Sequence, residues 1–226
     1  MKKILLLIFL FVFYPFLDKA VSEEPVGLKD KIDVYSLLNL SQLGLSQEAY
    51  QFAVKGFNKL KEQGKLLNSS VLTIIDFSQS SNNKRMYVID LYKKALLFNT
   101  YVAHGRNTGD EFAEKFSNIP GTFQSSLGFY VTENMAIGSK VGLSLILKGI
   151  ENGINDKARE REIIIHGADY ATEDFIHKYG RLGRSYGCPS LPPDLIKPVA
   201  EAIKDGTCLF IYKHDEKYIH QSKVLN

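Results

Sequence analysis

The stretch "GRLGRSYGCPSLPP", residues 180–193, places one thiol among glycines, arginines and a serine. Gly183 and Gly187 let main-chain N–H groups turn toward Cys188, and Pro189 fixes the chain directly after it. A thiol is a weak nucleophile until a base takes its proton or stabilises the thiolate. The sequence offers such a base in His166, 22 residues earlier, at the end of the apolar run "EIIIHG" (162–167). A histidine at a strand end is held firmly, whereas a glycine loop leaves sulfur accessible. Inward-turned amides of that loop are the donors a tetrahedral oxyanion needs. A second reading is a metal site, with His166, Asp169 and His177 as ligands beside a Cys188 thiolate. Their spacing matches no compact zinc pattern, and no second cysteine lies near.

The chain on both sides of this window is β-rich. "VLTIIDF" (71–77), "RMYVIDLY" (85–92) and "ALLFNTYVAHG" (95–105) are separated by turn-forming clusters such as Ser80-Ser81-Asn82-Asn83. "LGFYVT" (127–132), "GLSLILKG" (142–149), "REIIIHG" (161–167) and "TCLFIYKH" (207–214) follow. A helix near 194–205 comes between the last two, starting after Pro193 and ending before Gly206, with Pro198 in its first turns. Short strands with few long helices predict a mainly β fold, a β-sandwich or barrel-like core. Residues 33–64 read instead as helical: one short helix from about Val34 to Leu43 ending at Gly44, and a second capped by Ser46. In the second, Ala49, Phe52, Ala53, Phe57 and Leu60 keep helical spacing, and Gly64 is the stop. This pair is expected to be a packing appendage.

The N-terminus "MKKILLLIFLFVFYPFLDKAVSEEP" has two lysines, an unbroken apolar run from Ile4 to Phe13, and the small-residue triplet Ala20-Val21-Ser22. That is the layout of a secretory signal peptide cleaved after Ser22. The apolar run is shorter than the about 20 residues a spanning helix needs, which favours the cleaved signal over the alternative, an uncleaved anchor. The expected organisation is therefore a signal peptide (1–22), a helical segment (23–68) and a catalytic domain (69–226), working in the periplasm or cell envelope. In 226 residues, 45% hydrophobic and 23% charged with a net charge of +3, there is no basic stripe of a nucleic-acid binder. Export permits a disulfide between the only two cysteines, but Cys208 sits in the apolar run "TCLFIYK", where a buried small hydrophobe is expected. We expect no Cys188–Cys208 bond.

The stretches "IIIHGADY" (163–170) and "GRLGRSYGCPSLP" (180–192) resemble the catalytic region of the bacterial L,D-transpeptidases, the YkuD-like enzymes, and more closely their murein L,D-transpeptidase subgroup. His166-Gly167 matches the family's histidine element and Ser185-Tyr186-Gly187-Cys188 its cysteine element. Gly128-Phe129, in "SNIPGTFQSSLGFYVT" (117–132), matches the Gly-aromatic pair that enters a strand beside the site. The chain departs from many members at Tyr186, where they carry histidine, and at Pro189-Ser190, where they carry a hydrophobic residue and then arginine. Arg184 and Arg181 are the nearest candidates for that arginine's supporting role.

The resemblance implies that Cys188 attacks the stem-peptide amide before the terminal D-alanine of peptidoglycan, with His166 as base and then acid. Amides of Tyr186, Gly187 and Cys188 would hold the oxyanion, and Ser185 would support the histidine or the loop. The thioester would pass to an amine of a second stem as a 3-3 cross-link, or to water in an L,D-carboxypeptidase. No metal and no organic cofactor is required, and carbapenem-type inhibitors are expected to acylate the thiol. His104, ending a strand and heading a polar loop, is a candidate lining residue of the pocket. Two other readings remain: a papain-like peptidase, which would place cysteine before histidine, and a non-catalytic cell-wall-binding module.

Overall fold

The computed structural model describes residues 33–226. The expected signal peptide (1–22) and residues 23–32 of the helical segment lie outside the described residues.

The first helix, α1 (Val34–Leu37), is a single turn capped by Asp33, whose carboxylate accepts from the Tyr35 amide at 3.2 Å. It is shorter than its sequence suggests, because Asn39 takes the left-handed conformation (φ 50°) and the chain continues as turns to Gly44. Helix α2 (Gln47–Glu62) starts as expected, with Ser46 Oγ accepting from the Ala49 amide at 3.1 Å, and Gly64 follows it with φ 66°. Its face of Ala49, Ala53, Phe57 and Leu60 is buried in the same apolar cluster as the strands. Gly56 is the contact point: a Cβ there would stand 2.0 Å from the Phe129 ring, so only glycine lets the helix lie this close.

Eight strands follow: β1 (Val71–Asp76), β2 (Met86–Asp90), β3 (Ala95–Thr100), β4 (Gly128–Gly138), β5 (Gly142–Gly149), β6 (Ile164–Gly167), β7 (Ser190–Leu191) and β8 (Cys208–Tyr212). They form one sheet in the order β3-β2-β1-β8-β4-β5-β6-β7. The β1–β8 and β6–β7 pairs are parallel and the others antiparallel. Strands β1, β2 and β8 are buried at every position, which is why their sequences run apolar without alternation. Past β3 the chain turns back to the other end of the sheet. There Ala103 and Ser190 exchange both main-chain hydrogen bonds, at 2.9 and 3.2 Å, and Gly105 bridges Ser185. The mainly β, barrel-like expectation holds, as a nearly closed eight-stranded sheet.

Helices α3 (Glu173–Tyr179), α4 (Ile196–Ile203) and α5 (Glu216–Gln221) complete the fold. Pro198 is the third residue of α4, where no intrahelical N–H bond is lost. Beneath the sheet, the buried Glu151 carboxylate accepts from the Phe129 amide at 2.6 Å, the Tyr218 hydroxyl at 3.1 Å and the Ser222 hydroxyl, tying α5 and the C-terminal tail to β4.

Candidate active site

Strand pairing assembles the site. In the parallel β6–β7 register His166 lies opposite Ser190 and Gly167 opposite Leu191. Gly167 packs closely, since a Cβ there would stand 3.1 Å from both Pro193 Cα and an Ile196 methyl at the start of α4. His166 is buried, and its Nδ1 is 3.0 Å from the Gly167 carbonyl. A carbonyl only accepts, so Nδ1 carries the hydrogen and the lone pair is on Nε2. Ser190 Oγ donates to Nε2 at 3.1 Å and accepts from the Tyr170 hydroxyl at 3.0 Å.

The cysteine loop is held from three sides. His104 O accepts from the Ser185 amide at 2.9 Å, and Ser185 O accepts from the Arg106 amide at 2.7 Å. Ser125 Oγ, which accepts from the Gly105 amide, donates to Gly187 O, both at 3.0 Å. Gly187 has φ 129°, a conformation that favours glycine. Ser185 supports the loop and not the histidine: its hydroxyl donates to Cys188 O at 2.6 Å and accepts from the Gly187 amide at 3.0 Å.

That last bond corrects the expected oxyanion donors. The Gly187 amide is engaged inside the loop, while the Tyr186 and Cys188 amides have no hydrogen-bond partner among the described residues. They are the amides of this turn left unengaged among the described residues.

Cys188 is half-buried and Cys208 fully buried, and both are free thiols. Cys188 Sγ donates to the Glu162 carbonyl at 3.6 Å; no hydrogen bond joins it to His166 among the described residues. Burial pushes its pKa up, opposed by the Ile164 amide and the Arg161 charge, with Glu162 pushing up again. The resting group is therefore the thiol. Arg161 is fixed by Ser117 O and Ser126 Oγ, both at 2.6 Å, and by Gln124 O.

Alkylation of Cys188 by iodoacetamide is expected to rise with pH, with a midpoint above the about 8.5 of an unperturbed cysteine. Arg161→Met should move that midpoint higher still, because it removes the cation that favours the thiolate. A wild-type midpoint below neutrality would contradict this assignment.

Two other expectations are corrected. Arg184 does not reach the thiol: it pairs with Asp110 at 2.5 Å and donates to Gly109 O at 3.2 Å, while Arg181 donates to Leu182 O at 2.7 Å. The cation beside the sulfur is Arg161, which the sequence hid at the head of an apolar strand. The His104 side chain faces the core and not an open surface. It is buried, with Nδ1 2.9 Å from Arg85 and Nε2 3.3 Å from Gly109 O, and burial, helped by the Arg85 charge, pushes its pKa down to about 3. It is a neutral core histidine that serves the site through its main-chain carbonyl.

Beside the thiol loop stands an open ledge. Tyr186 is 67% exposed and packs on Phe123 with ring centroids 4.9 Å apart. The Arg106 guanidinium lies over both rings, at 4.9 Å from Phe123 and 5.4 Å from Tyr186, with no acidic partner among the described residues. Phe123 holds its place at φ 55°, unusual for a bulky side chain.

The profile of the L,D-transpeptidase catalytic domain matches residues 41–212, from within the turns before α2 to the end of β8. Solved structures similar to the chain include an L,D-transpeptidase from Mycobacterium smegmatis, at 12% identity and TM-score 0.41, with 64% of this chain and 59% of that one covered. Bd1075 of Bdellovibrio bacteriovorus is similar at 18% identity and TM-score 0.41, with 64% and 48% covered. L,D-transpeptidase 3 of Mycobacterium tuberculosis is similar at 12% identity and TM-score 0.40, with 64% and 61% covered. The chain thus covers about three-fifths or less of these relatives' lengths. No curated protein sequence matches it. With its profile match running over more than half its length, the chain belongs to the L,D-transpeptidase catalytic domain family.

Proposed function

We propose that this family member is an exported cysteine acyltransferase of peptidoglycan, acting in the periplasm or cell envelope behind the signal sequence of residues 1–22. The observation that carries the reading is the Cys188 turn: a half-buried thiol flanked by two amides without a partner among the described residues, with a histidine on the adjoining strand whose Nδ1 faces the Gly167 carbonyl. Cys188 attacks the stem-peptide carbonyl before the terminal D-alanine. His166 takes the thiol proton and later gives it to the departing amine. The Tyr186 and Cys188 amides receive the oxyanion, each such donor being worth about 3 kcal/mol in known acyl-transfer sites. The thioester then passes to an amine of a second stem, forming a 3-3 cross-link. Because the resting thiol is protonated, the base acts during attack and no preformed ion pair is required.

The test is incubation of the mature protein with isolated muropeptides, read by mass spectrometry. Dimers that have lost D-alanine are the expected product. Trimmed monomers alone would make the chain an L,D-carboxypeptidase, and untouched substrate would leave a wall-binding module. Among the similar structures is an L,D-transpeptidase in complex with imipenem; for this chain a carbapenem adduct on Cys188 is the corresponding expectation.

The ledge gives the donor stem a place to lie. Its rings offer apolar faces, and Arg106, pre-oriented on them, offers paired N–H donors to a peptide carboxylate. Arg106→Ala is expected to raise KM for carboxylate-bearing stems about tenfold with kcat little changed, the value of one exposed charge-assisted contact. Steady-state kinetics on free and amidated stems would check it: amidation should raise the wild-type KM and leave that of the variant unmoved.

A further inference from the structure

We propose that Ser190 is a catalytic residue that carries the thiol proton to His166, with Tyr170 positioning its hydroxyl; the proposal rests on the acyltransfer reading above. His166 has one basic nitrogen, because Nδ1 is committed to the Gly167 carbonyl at 3.0 Å. The lone pair on that basic nitrogen, Nε2, is already engaged by the Ser190 hydroxyl at 3.1 Å. Behind it the Tyr170 hydroxyl donates to Ser190 Oγ at 3.0 Å, so three groups form one directed chain, Tyr170 to Ser190 to His166. No hydrogen bond joins the thiol to the imidazole among the described residues; it donates instead to the Glu162 carbonyl. Direct transfer to Nε2 would first have to expel Ser190. Transfer through Ser190 leaves that bond in place and asks the thiol to turn from Glu162 toward the hydroxyl two residues along its own chain.

The pieces are fixed for this role. Main-chain bonds to Ala103 on both sides of its peptide unit hold Ser190 in register opposite His166. Tyr170 is locked by Gly183, whose amide donates to Tyr170 O at 2.7 Å and whose missing side chain leaves room for the ring: a Cβ there would meet Tyr170 Cβ at 2.4 Å. A negative charge on Cys188 pushes the Tyr170 phenol up, after burial, which places the phenol and the sulfur in one electrostatic neighbourhood. A hydroxyl can accept a proton and pass another on, whereas an arginine at this position, common in the family, only donates.

The step balances. As Sγ bonds to the carbonyl carbon and the C=O π pair moves to oxygen, the S–H proton passes to Ser190 Oγ while the Ser190 proton passes to Nε2. The imidazolium then donates to Ser190 Oγ, which still accepts from Tyr170 Oη and keeps the former thiol hydrogen for the departing amine. On collapse the path reverses and supplies the proton to the amine as the C–N bond breaks, leaving the serine as it began. The charged and titratable groups around this path are Arg161 and Glu162 ahead of β6, Tyr170 in its turn, and Tyr186 beside Cys188 in the loop.

The test compares kcat, KM and pH–rate profiles of wild type, Ser190→Ala, Ser190→Thr and Tyr170→Phe on muropeptides, with Cys188→Ala as the reference. Ser190→Ala is expected to lower kcat about 100-fold, with KM unchanged and an altered pH profile, the size of a general acid–base contribution. Ser190→Thr keeps the hydroxyl and should restore most of the rate; Tyr170→Phe should lower it several-fold. Mixed H2O/D2O rates should curve for wild type, reporting two protons in flight, and become linear in Ser190→Ala. The relay is overturned if Ser190→Ala keeps wild-type kcat and pH profile, or if Ser190→Thr is as impaired as Ser190→Ala. Those results with Cys188→Ala inactive leave acyl transfer standing; an active Cys188→Ala sinks the acyl-transfer reading itself.

Discussion

Cys188→Ala is expected to lower kcat/KM for muropeptide transfer by about four orders of magnitude or more, as loss of a nucleophile does elsewhere. The fold should survive it. Cys188 is half-buried, its sulfur makes one weak bond to Glu162 O, and the loop is held by Ser185, Ser125 and His104, which the substitution leaves alone. The thermal midpoint should therefore stay near that of wild type while activity disappears. Cys188→Ser should be nearly as inactive despite its shape, since a serine hydroxyl is far less acidic than a thiol. Near-wild-type turnover in either variant would show that the thiol is not the nucleophile.

The largest expected stability loss lies away from the thiol. Glu151→Ala would leave the Phe129 amide and the Tyr218 and Ser222 hydroxyls without their shared acceptor in a buried site. At about 1–3 kcal/mol for each donor left unsatisfied, less the relief from no longer burying a carboxylate, the loss should reach about 3–5 kcal/mol in urea unfolding. Glu151→Gln keeps one acceptor and should lie between. The pH dependence has a definite sign. Burial raises the Glu151 pKa, against the lowering effect of its three donors. Its contribution is thus fully present below the unfolded value of about 4.3 and is lost as pH rises through the folded one. The margin of wild type over Glu151→Gln should accordingly be widest near pH 4 and narrow toward neutrality. A margin that widens with pH would refute the assignment.

These two sites mark the limits of what the residues disclose. The thiol, the histidine and their glycines are legible because each needs a particular residue type at a particular local spacing. α2 was readable for a similar reason, its cap and apolar stripe being local. In the sequence Ser190 stands out only as the position where many family members carry arginine. Its bond to His166 depends on the register of β7, and a two-residue strand has no periodicity to detect. Arg161 comes to the sulfur through carbonyls at 117 and 124, far off in the chain, and Tyr170 through a short 3-10 turn. Glu151 sits in "GIENGIND", which looks like an exposed acidic turn until β4 and α5 close over it. Short β1 to β8 runs fixed the class of fold, while their order, with β8 inserted between β1 and β4, rests on long-range pairing.

The Ala103–Ser190 pair has a bearing on solubility as well as on chemistry. A sheet left open at its last strand offers a row of unpaired main-chain groups to any other chain, a template for aggregation. Here the chain leaving β3 caps that last strand, and the segment doing the sealing runs from Ala103 to Gly105 against Ser190 and Ser185, the residues that bracket Cys188. Substitutions that loosen this loop would thus unmask a sticky strand in addition to displacing Cys188, so solubility constrains the loop alongside the proposed chemistry.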